Sequence, residues 1–102
     1  MRKTFPLQIP GLADARVLEG IKHDVRKYLK RERRKTLPEG FTAWEFDCKV
    51  GATAESAVNV TVEEIVPALD PIASSGAESV YVEILARAGQ RPARPEAQSE
   101  PQ

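Results

Sequence analysis

The strongest constraint on how this chain folds is one apolar stripe. From Asp14 to Lys35 the residues Val17, Leu18, Ile21, Val25, Tyr28 and Leu29 recur at the i, i+4, i+8 spacings of a single helical face. A helix of about six turns with such a face needs a second layer to cover the stripe, because packing supplies most of its stability. The pattern therefore predicts a helix over 14–35. Asp14 is placed to cap it by accepting from amides of the first turn, and the excess of Lys and Arg near its end complements the macrodipole. Glu32 continues the stripe, so the last turns are expected to project beyond the core. Thr36-Leu37-Pro38-Glu39-Gly40 supplies the stop.

The covering layer is written in alternating stretches. Lys3 to Ile9 sets Phe5, Leu7 and Ile9 against Thr4, Pro6 and Gln8, a strand with one buried face; Pro6 cannot donate to a ladder, which places the strand at an edge or at a bulge. Residues 42–50 alternate Trp44, Phe46, Cys48 and Val50 with Glu45, Asp47 and Lys49. A short third strand over Ala57 to Val60 follows the small-residue loop Gly51 to Ser56. Thr61 and Glu64 have the spacing of a capping box, and Val62, Ile65, Val66, Leu69, Ile72 and Ala73 form a second helical stripe. Pro67 and Pro71 sit opposite that stripe, where they bend the helix around the core or divide it into two short helices with Asp70 capping the second. Gly76 suits the helix end, and Val80, Val82 and Ile84 alternate with Tyr81, Glu83 and Leu85 in a final strand whose two faces both carry apolar residues.

These elements give an α+β fold: a small mixed or antiparallel sheet of three to four strands with two helices on one face, in the order β-α-β-(β)-α-β. With the short strand included this is the ferredoxin-like order, although Pro6 counts against it because that topology puts the first strand inside the sheet. At 102 residues, 41% of them hydrophobic and 29% charged, the chain holds one domain with a real core. Residues 1–89 are expected to form it. Residues 90–102 carry three prolines and no periodicity, and are expected to be a disordered tail dispensable for folding. No run of about 18 apolar residues and no signal-peptide pattern is present, so no membrane partner and a cytoplasmic location are expected. One cysteine, Cys48, and one histidine, His23, provide neither an internal disulfide nor a structural zinc cage. No cofactor or metal is expected.

Zero net charge conceals a division along the chain. Residues 1–35 hold 11 Lys/Arg and 4 Asp/Glu, while residues 36–102 hold 4 and 11. Most of the excess lies in residues 22–35, where eight Lys/Arg and two acids leave a net of +6. Lys22, Arg26, Lys30, Arg33 and Arg34 share the arc away from the apolar stripe, Lys27 and Arg31 widen it, and Lys35 closes the block. A cationic helix face of this kind neutralises phosphates and releases counterions, which gives salt-sensitive binding without sequence readout. The bland reading is a solvated face, which is what most charge runs are. No aromatic stacking motif of the RNA-recognition kind accompanies the block.

Several of these stretches are familiar together: Lys3-Thr4-Phe5-Pro6-Leu7, the run from Ile21 to Lys35, Leu37-Pro38-Glu39-Gly40, Trp44-Glu45-Phe46-Asp47-Cys48 and Tyr81-Val82-Glu83-Ile84-Leu85-Ala86. Their combination resembles a family of small bacterial proteins classed as a domain of unknown function, over roughly residues 1 to 91. The basic helix block is the specific part of the likeness. The family pattern carries Lys-Pro-Gly-His-Arg where this chain has Arg87-Ala88-Gly89-Gln90-Arg91, and an alanine-rich second helix where this chain has Pro67 and Pro71. The resemblance brings no activity with it.

Three functions of different kinds follow. The first is a noncatalytic binding module whose basic helix contacts RNA, DNA or another polyanion. The second is a protein-interaction or self-associating module, in which the helix meets an acidic protein and a partner covers Tyr81 and Leu85. The third is a small enzyme built on Glu45, Asp47 and Glu83, three carboxylates that would cluster if their strands are neighbours. His23 is expected at the surface near the basic arc. Cys48 is in phase with Trp44 and Phe46 and reads as a small core hydrophobe, with no base beside it to make a nucleophile.

Overall fold

Both stripes become helices and the alternating stretches become four strands. The computed structural model describes residues 1–89, and the expected tail lies outside the described residues. In chain order the elements are β1 (Arg2–Pro6), α1 (Asp14–Arg33), β2 (Ala43–Gly51), β3 (Val58–Val60), α2 (Ile65–Ser74) and β4 (Ser79–Gly89), with a single 3₁₀ turn, Val62–Glu64, leading into α2. Among the described residues no helix is long and apolar enough to cross a membrane.

The sheet is antiparallel throughout and runs in the order β1-β4-β2-β3. This is not the ferredoxin-like arrangement, because β1 lies at an edge and β4 takes an interior place. Pro6 supplies the reason. The Leu7 amide donates to the Glu78 carbonyl at 2.9 Å, so the odd-numbered residues of this edge turn their amides toward β4. The proline nitrogen then faces the open edge, where a missing N–H costs no ladder bond.

One face of the sheet holds the core. Val17, Ile21, Val25 and Leu29 of α1 and Ile65 and Leu69 of α2 pack against Phe5, Leu7, Cys48, Val50, Val80, Val82 and Ile84. Val25, Ile65, Leu69, Val80, Val82 and Ile84 are the largest side chains buried completely, and each such burial stabilises the fold by about 1.5–3 kcal/mol before entropy is counted. Among the described residues the other face carries no helix. The chain turns back sharply after β2, where a Cβ on Gly51 would lie 2.5 Å from the Ala57 Cα. Gly76, with φ of +85°, closes α2 in the left-handed conformation that its position anticipates.

Two local expectations are corrected. Asp14 is the first residue of α1 rather than its cap: the N-cap is Ala13, with no side-chain bond, so Asp14 contributes only negative charge near the positive helix end. Glu32 does not project past the core but is 8% exposed and ion-paired to Lys35 at 2.8 Å. β4 extends to Gly89, pairing with β2 from Ala43↔Gly89 to Gly51↔Tyr81. Trp44 pins this end, its indole N–H donating to the Lys35 carbonyl at 2.9 Å. Of the two forms open to α2, it takes the single helix through both prolines: Pro67 falls in its first turn, where no i−4 partner exists within the helix, and Asp70 accepts a bond from Lys22 instead of capping a second helix.

Candidate functional site

The helix fixes where its cations go. Residues four apart stack on one face, so Arg26, Lys30 and Arg34 form a row along the side of α1 away from the buried stripe, and Lys27 and Arg31 form a second row beside it. All five are exposed. Among the described residues, none of them makes an ion pair with a carboxylate.

The remaining three residues of the basic block are placed differently. Lys22 leaves the row: its side chain is only 12% exposed and its ammonium donates to Asp70 of α2 at 2.8 Å, with Glu19 at 3.6 Å. The hydrogen bond to Asp70, and then the charges of Asp70 and Glu19, raise its pKa, while burial opposes them. It is a strut between the two helices. Lys35 pairs with Glu32. Arg33 points to the flank facing β2, its guanidinium 5.6 Å from the centre of the Phe46 ring.

On the other flank, α1 and β1 border an open cleft of about 360 Å³ lined by Met1, Lys3, Phe5, Asp24, Lys27, Tyr28 and Arg31. Lys3 is absent from the basic block because it comes from a different element. The strand alternation contains the signal that places it there: Lys3 shares the odd-numbered, helix-facing side with Phe5 and Leu7. Its ammonium lies 4.8 Å from the Phe5 ring centre, and the Arg31 guanidinium lies 5.6 Å from that of Tyr28. The Tyr28 hydroxyl accepts from the Met1 nitrogen at 3.3 Å, which fixes the ring.

The carboxylates expected on the strands are all on the uncovered sheet face, and each has a cation. Arg87 stands directly across from Glu45 and reaches both Glu45 and Asp47 at 2.8 Å. These bonds raise the Arg87 pKa, that to Asp47 most. Glu83 has Arg2 opposite on one side and Lys49 on the other, with Arg2 at 3.4 Å, and it accepts the Tyr81 hydroxyl at 2.7 Å. The Tyr81 bond, followed by the charges of Arg2 and Lys49, lowers the Glu83 pKa against the opposing effect of burial. A general acid or base working near neutrality needs the opposite shift. Among the described residues no group of three or more His, Cys, Asp or Glu is placed to hold a metal ion. Of the two apolar residues expected on this face, Tyr81 is buried and bonded to Glu83, and Leu85 is half-buried.

A second cavity of about 350 Å³ opens between the end of α1 and the short edge strand, with Arg33, Trp44, Phe46, Cys48, Thr61 and Glu63 among its lining. Burial raises the pKa of the Cys48 thiol, with Asp47 and Glu63 adding to it. The sulfur is therefore a protonated, buried hydrophobe rather than a thiolate. His23 is exposed on α1.

No curated protein matches the chain, and no solved structure matches it. The model of a family of unknown function, DUF6172, matches residues 1–95, and the chain belongs to that family.

Proposed function

We propose that this protein is a noncatalytic binding module that holds a polyanion, RNA or DNA, against the solvent side of α1. One observation carries the reading: Arg26, Lys27, Lys30, Arg31 and Arg34 lie in two adjacent rows on one exposed surface, with no carboxylate paired to any of them among the described residues. Successive members of a row rise about 6 Å along the helix axis, which suits contact with a chain of regularly spaced phosphates. Such contacts go to the backbone and carry no sequence information. Lys22 and Lys35 drop out of the contact set because their ammonium groups are already engaged.

Binding of mixed RNA and DNA, and retention on heparin, measured at rising salt, test the reading. Salt-sensitive binding is expected, and the combined variant Arg26→Glu, Lys30→Glu, Arg34→Glu is expected to abolish it. Removing a single contact should reduce the log–log salt slope by about 0.9 on duplex or about 0.7 on a single strand. Lys22→Ala is expected to lower stability, by unlinking α1 from α2, without reducing affinity. Absence of binding at low salt, or binding unchanged in the triple variant, overturns the proposal.

A further inference from the structure

The cleft between β1 and α1 is unlike the rest of the basic surface, because cations from two separate elements converge on it. Lys27 and Arg31 reach it from one turn of α1, and Lys3 reaches it from the edge strand. Its floor and wall are aromatic. Lys3 lies over Phe5 and Arg31 over Tyr28, while Tyr28 is itself held by the bond from the Met1 nitrogen. These contacts hold the cations in place through their ring-facing sides. They leave the N–H donors without a charged acceptor, since no carboxylate among the described residues ion-pairs with Lys3, Lys27 or Arg31. Three like charges gathered around one concavity repel one another unless an anion enters.

The charge count selects the anion. Among the lining side chains Lys3, Lys27 and Arg31 supply three positive charges and Asp24 one negative, a balance of +2 to which the Met1 ammonium on the Tyr28 hydroxyl adds. A phosphodiester carries a single charge, whereas a phosphomonoester carries about −1.5 to −2 at neutral pH and presents three acceptor oxygens. We infer that the cleft formed by Lys3, Lys27, Tyr28 and Arg31 is a binding site for a phosphomonoester group. The Arg31 fork and the two ammonium groups take the three phosphoryl oxygens, and Asp24, an acceptor only, takes a hydroxyl of the attached sugar. At about 360 Å³ the space is within the range of small-ligand sites. The group has two sources, the phosphorylated end of a nucleic-acid strand and a free nucleotide. This inference builds on the polyanion reading and assigns a terminal-phosphate pocket beside the helix rows.

Calorimetric titration of the full chain at low salt tests it, with five probes: inorganic phosphate, a nucleoside monophosphate, the corresponding nucleoside, and matched short strands ending in 5′-phosphate or 5′-hydroxyl. The phosphorylated member of each pair is expected to bind roughly tenfold or more tightly. Lys3→Ala and Arg31→Ala, both at exposed positions, should erase that preference, and Lys49→Ala on the opposite sheet face should retain it. A preference confined to the strands assigns the site to a strand end; a preference shown also by the monophosphate over its nucleoside assigns it to free nucleotides as well. Equal binding of phosphorylated and unphosphorylated probes, or a preference that survives Lys3→Ala, overturns the inference. Salt-sensitive binding of the 5′-hydroxyl strand in that case leaves the helix-surface reading standing, whereas absence of binding to either strand defeats that reading by itself.

Discussion

The two exposed sides of this molecule treat charge in opposite ways. On the open sheet face, register sets opposite charges across from one another: Glu45 faces Arg87, and Glu83 lies between Arg2 and Lys49. Cross-strand pairs of this kind stabilise a sheet. On α1, the same spacing logic sets like charges together, Arg26 with Lys30, Lys30 with Arg34 and Lys27 with Arg31, each pair four residues apart. Like charges at that spacing cost about 0.2–0.5 kcal/mol per pair in an isolated helix. The sheet face thus pairs its charges within the fold, whereas on α1 the like-charge spacing is offset by the macrodipole only over the last turn.

The largest expected difference between the two sides is in packing. Ile84 and Leu85 are neighbours on β4 and point to opposite faces, Ile84 completely buried under the helices and Leu85 half-buried on the open face. Ile84→Ala is expected to cost about 2–5 kcal/mol through the cavity it leaves, and Leu85→Ala less than about 1 kcal/mol. Denaturant midpoints at unchanged m-value measure both. Equal costs would mean that something covers the open face in solution, and the concentration dependence of sedimentation would then identify self-association.

Charge substitutions give the next largest contrast, and here the two sides should move in opposite directions. Neutralising Arg26, which lies before the last turn of α1, with Arg26→Gln removes its like-charge pair with Lys30 four residues on and is expected to raise stability by about 0.2–0.5 kcal/mol while weakening polyanion binding. Arg87→Gln leaves Glu45 and Asp47 side by side without their shared cation and is expected to lower stability with no effect on that binding. Thermal or denaturant unfolding of both variants, alongside their salt-dependent affinities, checks the pair. Loss of stability in the α1 variant would break the comparison, because it would show that Arg26 is paired within the molecule.

Periodic elements were legible in the sequence, and edges and partners were not. The stripe from Val17 to Leu29 and the alternation around Trp44 to Val50 each repeat often enough to specify an element, and both α1 and β2 form where expected. The second half of β4 was missed because Ala86, Arg87, Ala88 and Gly89 have weak strand propensity; the pairing with β2 and the Arg87 ion pairs hold them extended. Sheet order was also beyond periodicity, which does not say which strands are neighbours. Pro6 alone narrowed it, to an edge or a bulge, and β1 occupies an edge. At the candidate site, the sequence showed a contiguous basic block but not its division into a strut at Lys22, a flank at Arg33 and an exposed double row. Nor did it reveal the contribution of Lys3, whose partners on α1 in the cleft lie more than twenty positions away.

The smallest expected effect is also the one most specific to the open face. The Tyr81 hydroxyl donates to Glu83 at 2.7 Å, and this bond is the first cause both of the lowered Glu83 pKa and of the raised Tyr81 pKa. For a carboxyl whose folded pKa is depressed, the stabilisation is present above the unfolded value, about 4.3, and disappears as pH falls through the folded one. For a phenol whose folded pKa is raised, it is present below about 10 and disappears as pH rises through the folded value. The bond needs a protonated phenol and an ionised carboxylate, so its contribution has a plateau between these limits and declines on both sides. Tyr81→Phe removes it, leaving the ring and therefore the packing in place. The stability difference between wild type and Tyr81→Phe is expected to be constant from about pH 5 to 9 and to narrow in acid as Glu83 protonates and in alkali as Tyr81 ionises. A difference that stays flat down to pH 3 would show that the phenol acts through packing rather than through the carboxylate, and the account of this face as a set of satisfied charges would lose its most polar member.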